Sequence, residues 1–313
     1  MNTQKNNLIK IKTKSNITNS MIKYAEICKR INSEEDLKNE FPEFTQFSIY
    51  DEMVNIPQYC FNYVNFNNYF NTEEYGFDYV NYVPFLCAYF KVYMSKYRLV
   101  ETNLTKILNA VNFSVQYKDD SHLNKIKQTL WFLCKENYIS IIDLDTDRIQ
   151  SLTPKNNITI CVNPKMLYLN ESFLSMSLKD FIYIISNNYR KISNKNLLLV
   201  YLNILNQIKM NTYYIKNQNP KMLSKLNKIA KENNIVVNED MLYFGSVGYK
   251  KIAKQTALSV HTVMECVELL KNMNILYVYK CKLMGANKAN VYALDPVMLS
   301  DKDIINDYLE YCI

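Results

Sequence analysis

The chain has 313 residues, 48% of them apolar, so at roughly 150 residues per domain it holds about two domains with their own cores and is not a mostly disordered polymer. Its glycines are only four (Gly76, Gly245, Gly248 and Gly285), which excludes the Walker and dinucleotide-binding loops, since both need clustered glycine to bring backbone close to phosphate. The net charge of +7 is uneven: residues 195–292 carry 14 Lys/Arg against 5 Asp/Glu, either the footprint of a polyanionic partner or a lysine-rich solvated surface.

Residues 1–81 read as an N-terminal arm followed by a helical, aromatic extension. Lys5, Lys10, Lys12 and Lys14 make residues 1–20 either a basic arm that tracks phosphates or a strand over 8–13. Short helices are expected over 21–31 and 33–41, the second capped by Ser33 with Asp36 three residues on. The Tyr, Phe and Asn run at 61–70 has no interleaved basic residue, so it reads as a packing surface and not as a base-stacking platform.

Residues 82–163 form the next unit. An apolar helix over 85–93 is followed by a short helix over 102–111 and a longer one starting near His122. Strands are expected over 138–142 and 158–162, around a polar excursion that contains Asp143, Asp145 and Asp147. Residues 164–194 are a linker with a helix over 178–187. Residues 195–294 form another unit, with an apolar helix over 197–205, a short helix over 248–256 and a turn at 257–259. A longer helix and strands over 275–279 and 291–294 complete it. Within this unit, 215–247 reads as an insertion with a helix over 220–233. Its Lys221, Lys225, Lys228 and Lys231 either add phosphate contacts or are solvated. Residues 295–313 end the chain in an acidic amphipathic helix, with Ser300 as N-cap and Ile304, Ile305, Tyr308 and Leu309 as its apolar stripe. That stripe would dock a partner, a second subunit or the chain's own core.

The two larger units repeat each other. At a constant offset of 137 residues, Leu123, Ile126, Leu130 and Leu133 fall on Val260, Val263, Val267 and Leu270, one apolar stripe at helical spacing. Asn137 falls on Asn274, and asparagine tolerates the left-handed conformation that ends helices. In each unit the order is helix, helix, turn, helix, strand, loop, strand. The first has eight extra residues in its turn.

That order resembles the winged helix-turn-helix domain. The most specific piece is Ile252-Ala-Lys-Gln-Thr-Ala-Leu-Ser-Val-His-Thr-Val263, which is similar to the helix-turn-helix of many bacterial regulators. The resemblance implies a mostly α protein with small β-hairpin wings (α+β), as two winged-helix domains in tandem. Two such domains in a chain of this length also resemble the replication initiators of plasmids and phages. The function implied is sequence-specific binding of double-stranded DNA at repeated origin sites. Transcriptional regulation is the alternative within the same fold, and a protein-interaction scaffold or a DNA-processing enzyme stands outside it.

Phosphate anchoring and base readout assign the residues. In the second unit Ser259, His261 and Thr262 occupy the first turn of the helix that enters the major groove, with Glu265 one turn on. Lys250, Lys251, Lys254 and Gln255 flank it on the preceding helix, and Lys280, Lys282, Asn287 and Lys288 lie in the wing. Glu268 and Asn272 share the outward face. In the first unit Ser121, Asn124, Lys125, Gln128 and Lys135 lie opposite the apolar stripe, beside an acidic wing that a duplex repels. That unit contacts DNA through its helix only, or contacts protein. Trp131 is expected as a buried packing anchor, not a stacking platform.

Chemistry is not expected. Only two histidines occur, His122 and His261, with no His-x-His pair and only four arginines, so nicking and recombination have poor material. The eight cysteines form no C-x-x-C pair and read as reduced, small hydrophobes. No metal or cofactor is expected. The longest apolar runs are far below a membrane span, so the expected setting is the cytoplasm, with duplex DNA as partner and either a homodimer or the replication or transcription machinery beside it.

Overall fold

The computed structural model describes residues 53–57, 82–94, 98–112, 121–142, 144–163, 173–187, 189, 191–280 and 290–311. The expected basic arm at 1–20, the helices over 21–31 and 33–41, and the aromatic run at 61–70 lie outside the described residues. What is described is mostly helical with small antiparallel sheets.

Strand β1 (Met53–Pro57) comes first. Helix α1 (Val83–Tyr93) carries Pro84 in its first turn, where a missing N–H has no helical partner to lose. Every residue from Val83 to Phe90 is buried, so α1 is a core element and not an amphipathic surface helix. Strand β2 (Leu99–Thr102) follows, unforeseen in the sequence. The Asn103 side chain then caps α2 (Leu104–Val111) by accepting from the Lys106 N–H. Helix α3 (Ser121–Lys135) leads to β3 (Ile139–Ile141) and, after a 3-10 helix (Thr146–Ser151), to β4 (Ile158–Val162). The sheet order is β2-β4-β3, antiparallel throughout, with Val100 opposite Ile160 and Ile139 opposite Val162.

Strand β5 (Phe173–Ser177) pairs antiparallel with β1, and α4 (Leu178–Ile185) follows it. Helix α5 (Asn194–Gln218) runs well past the expected 197–205. Helix α6 (Pro220–Glu232) is capped by Asn219. The segment 215–247, read as an insertion, also supplies β6 (Phe244–Val247), the counterpart of β2. Helices α7 (Tyr249–Thr256) and α8 (Val260–Asn272) are joined through Ala257, and strands β7 (Tyr277–Lys280) and β8 (Asn290–Ala293) complete a sheet of order β6-β8-β7. Both halves therefore run helix, strand, helix, helix, strand, strand, with α6 added before the first strand of the second, and both place the last strand in the middle of a three-stranded sheet.

The repeat extends to the ends of the third helices. After α3, Asn137 stands at φ 58°, its N–H donates to the Cys134 carbonyl and the Tyr138 N–H to that of Leu133. After α8, Asn274 stands at φ 57°, with the same bonds to Lys271 and from Ile275 to Leu270. Each pair of bonds satisfies carbonyls that a helix end would leave bare.

One buried cluster runs from Ile56 and α1 through the first half, α4 and the first half of α5 to α7 and α8. Buried Asn194, at the start of α5, ties the joint by donating to the carbonyls of Ala110 and Ile185. A second cluster holds the end of α5, α6, one face of β6 and β8, and α9 (Lys302–Tyr311). Here the acidic terminal helix docks on the chain's own core. Ile304, Ile305, Tyr308 and Leu309 are buried, and the Tyr308 ring lies 5.0 Å from that of Phe244. Its cap is Asp301, whose carboxylate accepts from the N–H groups of Asp303 and Ile304, and not Ser300. The Ser300 hydroxyl donates instead to the Val297 carbonyl, because a short 3-10 helix (Pro296–Leu299) ends there.

Glycine is used sparingly, and among the described residues the position of Gly245 requires it. A Cβ on Gly245 in β6 would lie 2.7 Å from the Ile208 nitrogen and 2.8 Å from the Gln207 carbonyl, so strand and helix backbones meet directly. Beside this contact the Asn211 amide donates to the Phe244 carbonyl at 2.6 Å, and the Tyr243 N–H donates to the Thr212 hydroxyl at 3.0 Å. Cysteines Cys87, Cys134, Cys161 and Cys266 are free, and burial pushes the Cys266 thiol up to about 12, far from reactivity.

Candidate nucleic-acid interface

Helix α8 is anchored to the core by Val263, Cys266, Val267 and Leu270, each with no exposed surface. Val260, expected in that stripe, is instead 39% exposed: it is the first helical residue and projects past the end of the packed face, while Cys266 fills the fourth core position. The start of the helix is fixed by Ser259, whose hydroxyl accepts from the Thr262 N–H at 3.0 Å and lies 2.9 Å from the Thr262 hydroxyl. His261 is open to solvent, with 82% of its side chain exposed, and its Nε2 lies 3.6 Å from Glu265 Oε1. Ser259, His261, Thr262 and Glu265 thus line one accessible helix start.

The flanking charges differ in how free they are. Lys250, Lys251 and Lys254 on α7 are exposed and have no carboxylate partner among the described residues, while Gln255 is half-buried. Ala257, at φ 54°, makes the turn that sets α7 against α8. Lys280 on β7 is exposed but lies 3.5 Å from Glu268 Oε1. Lys271 donates to the other oxygen of Glu268 at 2.8 Å. The Lys271 hydrogen bond, aided by both positive charges, holds the Glu268 carboxyl below its ordinary value. Lys282, Asn287 and Lys288 lie outside the described residues.

Two outward residues were missed in the sequence. Met264 is 45% exposed, one turn on from Val260, so an apolar pair lies beside His261 on the solvent side of α8. Hydrophobic spacing hides such residues, because an apolar side chain near a core stripe reads as core.

The first half treats its third helix differently. Asn124 and Gln128 on α3 are exposed and Lys125 is half-buried; nothing is described of the Ser121 side chain, although its backbone begins the helix. The acidic excursion is not an open hairpin. Its 3-10 helix packs on α3 with Ile149 wholly buried, and the Lys127 ammonium, with only 8% of the residue exposed, donates to the Gln150 carbonyl at 2.8 Å. Trp131, expected to be buried, is half-buried, with the Lys135 ammonium 5.0 Å from its ring centre. His122 serves packing: its Nδ1 lies 2.5 Å from the Tyr82 hydroxyl at the start of α1.

Among the described residues no group of three or more His, Cys, Asp or Glu is placed to hold a metal ion, and no helix is long and apolar enough to cross a membrane. The Lys225 ammonium on α6 donates to Asp307 on α9 at 3.0 Å and Lys228 lies 3.8 Å from Glu232, so these two lysines already face carboxylates. Compared with known protein families, curated proteins and solved structures, the chain matches none.

Proposed function

We propose that the chain is a sequence-specific double-stranded DNA-binding protein whose two halves are winged-helix units, with α8 as the helix that enters the major groove. One observation carries this reading: α8 presents an accessible, capped N-terminal turn beside three exposed lysines with no carboxylate partner among the described residues. Phosphates flanking a groove need fixed cations at its rim, and base edges need donors and acceptors within it. Lys250, Lys251 and Lys254 supply the first; Ser259, His261, Thr262 and Glu265 supply the second. The shared order of elements and sheet strands supports a winged-helix assignment for both halves.

The narrower reading is a replication initiator that binds repeated sites, since two such units in one chain can engage two successive half-sites. No catalytic step belongs to it. Selection from a random duplex pool tests the proposal. Enrichment of one sequence, bound with strong salt dependence, supports it; equal, weak retention of all duplexes refutes it.

A further inference from the structure

The apolar pair on α8 has no role in the core. Val260 and Met264 are one helical turn apart and share a flank, about 40° apart at ~100° per residue. They are 39% and 45% exposed, and His261, with 82% of its side chain exposed, stands beside them. The repeat shows that this exposure is particular to the second unit. At the offset of 137 residues Met264 corresponds to Lys127, which its own 3-10 helix roofs and which is 8% exposed. The same helical position is covered in one unit and open in the other.

Resting on the proposed function, we infer that Val260 and Met264 read the C5-methyl groups of thymine, so that the preferred site carries thymines at the positions α8 faces. Three observations choose this occupant. The pair lies within the first two turns of α8, the part that meets base edges in such an arrangement. The neighbouring Lys250, Lys251 and Lys254 are exposed and complementary to a phosphate backbone rather than to an apolar protein surface. Among the groups that base pairs display in the major groove, the thymine methyl is the apolar one, and apolar side chains recognise it. A thioether on an unbranched chain adapts to the position of that methyl, whereas the branched Val260 is stiff at χ1 and fixes its own.

The test replaces single thymidines by deoxyuridine in the selected duplex, which removes the methyl and leaves base pairing intact. For the wild-type chain, affinity should fall about three- to fivefold at each of two thymines, the size expected for one lost methyl contact. Val260→Ala and Met264→Ala should each abolish that sensitivity at one thymine while retaining it at the other. Both side chains are exposed, so folding is not at stake, and circular dichroism verifies this. Specific binding with no deoxyuridine effect at any position overturns the inference and leaves the proposed function standing. A deoxyuridine pattern left unchanged at every thymine in both variants also overturns it. Failure to select any duplex overturns the proposed function, and this inference with it.

Discussion

Replacing Lys250, Lys251 and Lys254 together by alanine should weaken DNA binding at low salt and flatten its dependence on salt. All three side chains are exposed on α7 and none has a carboxylate partner among the described residues, so each ammonium is available to displace a condensed counterion. Each phosphate neutralised contributes about −0.9 to the slope of log affinity against log salt. Three contacts therefore contribute about −2.7, and between 50 and 200 mM salt the gap between wild type and variant should narrow about 40-fold. Fluorescence anisotropy on the selected duplex across that range measures both slopes. Lys225→Ala is the control, because its ammonium is held at 3.0 Å by Asp307 on α9. A triple variant with the wild-type slope would remove α7 from the interface. A Lys225→Ala variant that flattens the slope equally would show that any lysine suffices and that the placement of these three means nothing.

Further perturbations address other parts of the structure. Glu268→Gln frees Lys271 and Lys280 from the carboxylate they share, and should raise DNA affinity and steepen the salt slope by about one phosphate contact; an unchanged titration places β7 away from DNA. Gly245→Ala forces a Cβ to within 2.8 Å of α5 backbone and should cost about 1–3 kcal/mol by urea unfolding, whereas a loss below about 0.5 kcal/mol would mean that β6 can slide off α5 freely. The Tyr201 hydroxyl donates to Asp180 at 2.5 Å, and Tyr201→Phe should cost about 1–3 kcal/mol by leaving that carboxyl buried without its donor. Burial raises the Asp180 pKa, so the folded chain keeps this proton to a higher pH than the unfolded one. Stability then falls as pH climbs from the ordinary carboxylate range through the raised value. Asp180→Asn should stabilise the chain at neutral pH and flatten that fall, as thermal unfolding between pH 4 and 8 would show.

Much of the fold was legible because the two units share a pattern that physics makes redundant. An apolar stripe at spacings of three and four, ended by asparagine, gave α3 and α8 together with their caps, since so few side chains tolerate positive φ. In a chain with four glycines, asparagine takes most of the left-handed positions among the described residues (Asn112, Asn137, Asn234 and Asn274, beside Arg98 and Ala257), so it carries turns that glycine makes elsewhere. Strand β2 was hidden where Leu99–Thr102 leads straight into a helical pattern, and β6 contains the glycine that lets it touch α5. The terminal helix starts at 302 because Asp301, one residue from the expected cap Ser300, has the better reach to the free N–H groups, and Asn103 sets the start at 104 in the same way, inside the expected 102–111. The candidate site was legible where charge marked it and illegible where it is apolar, as at Val260 and Met264.

The two units share their order of sheet strands and spend the surface of their third helix in opposite ways. In the first, the 3-10 helix folds back on α3, buries Ile149 and turns Lys127 into a donor for the Gln150 carbonyl, so a cation is consumed in holding a cover in place. Asn124 and Gln128 are left exposed beside the half-buried Lys125. In the second, position 264 holds an exposed methionine where Lys127 stands in the first, and the lysines have moved to the preceding helix, outside any described ion pair. A covered helix cannot enter a groove along its length, because the cover meets the phosphate ridges first; an open one flanked by free ammonium groups can. If both units engage one duplex, α8 therefore supplies readout, while α3 adds polar contacts that fix register without selecting sequence strongly. Alanine at Asn124 and Gln128 should accordingly weaken all duplexes to a similar degree, whereas alanine at His261 or Thr262 should change which duplex is preferred.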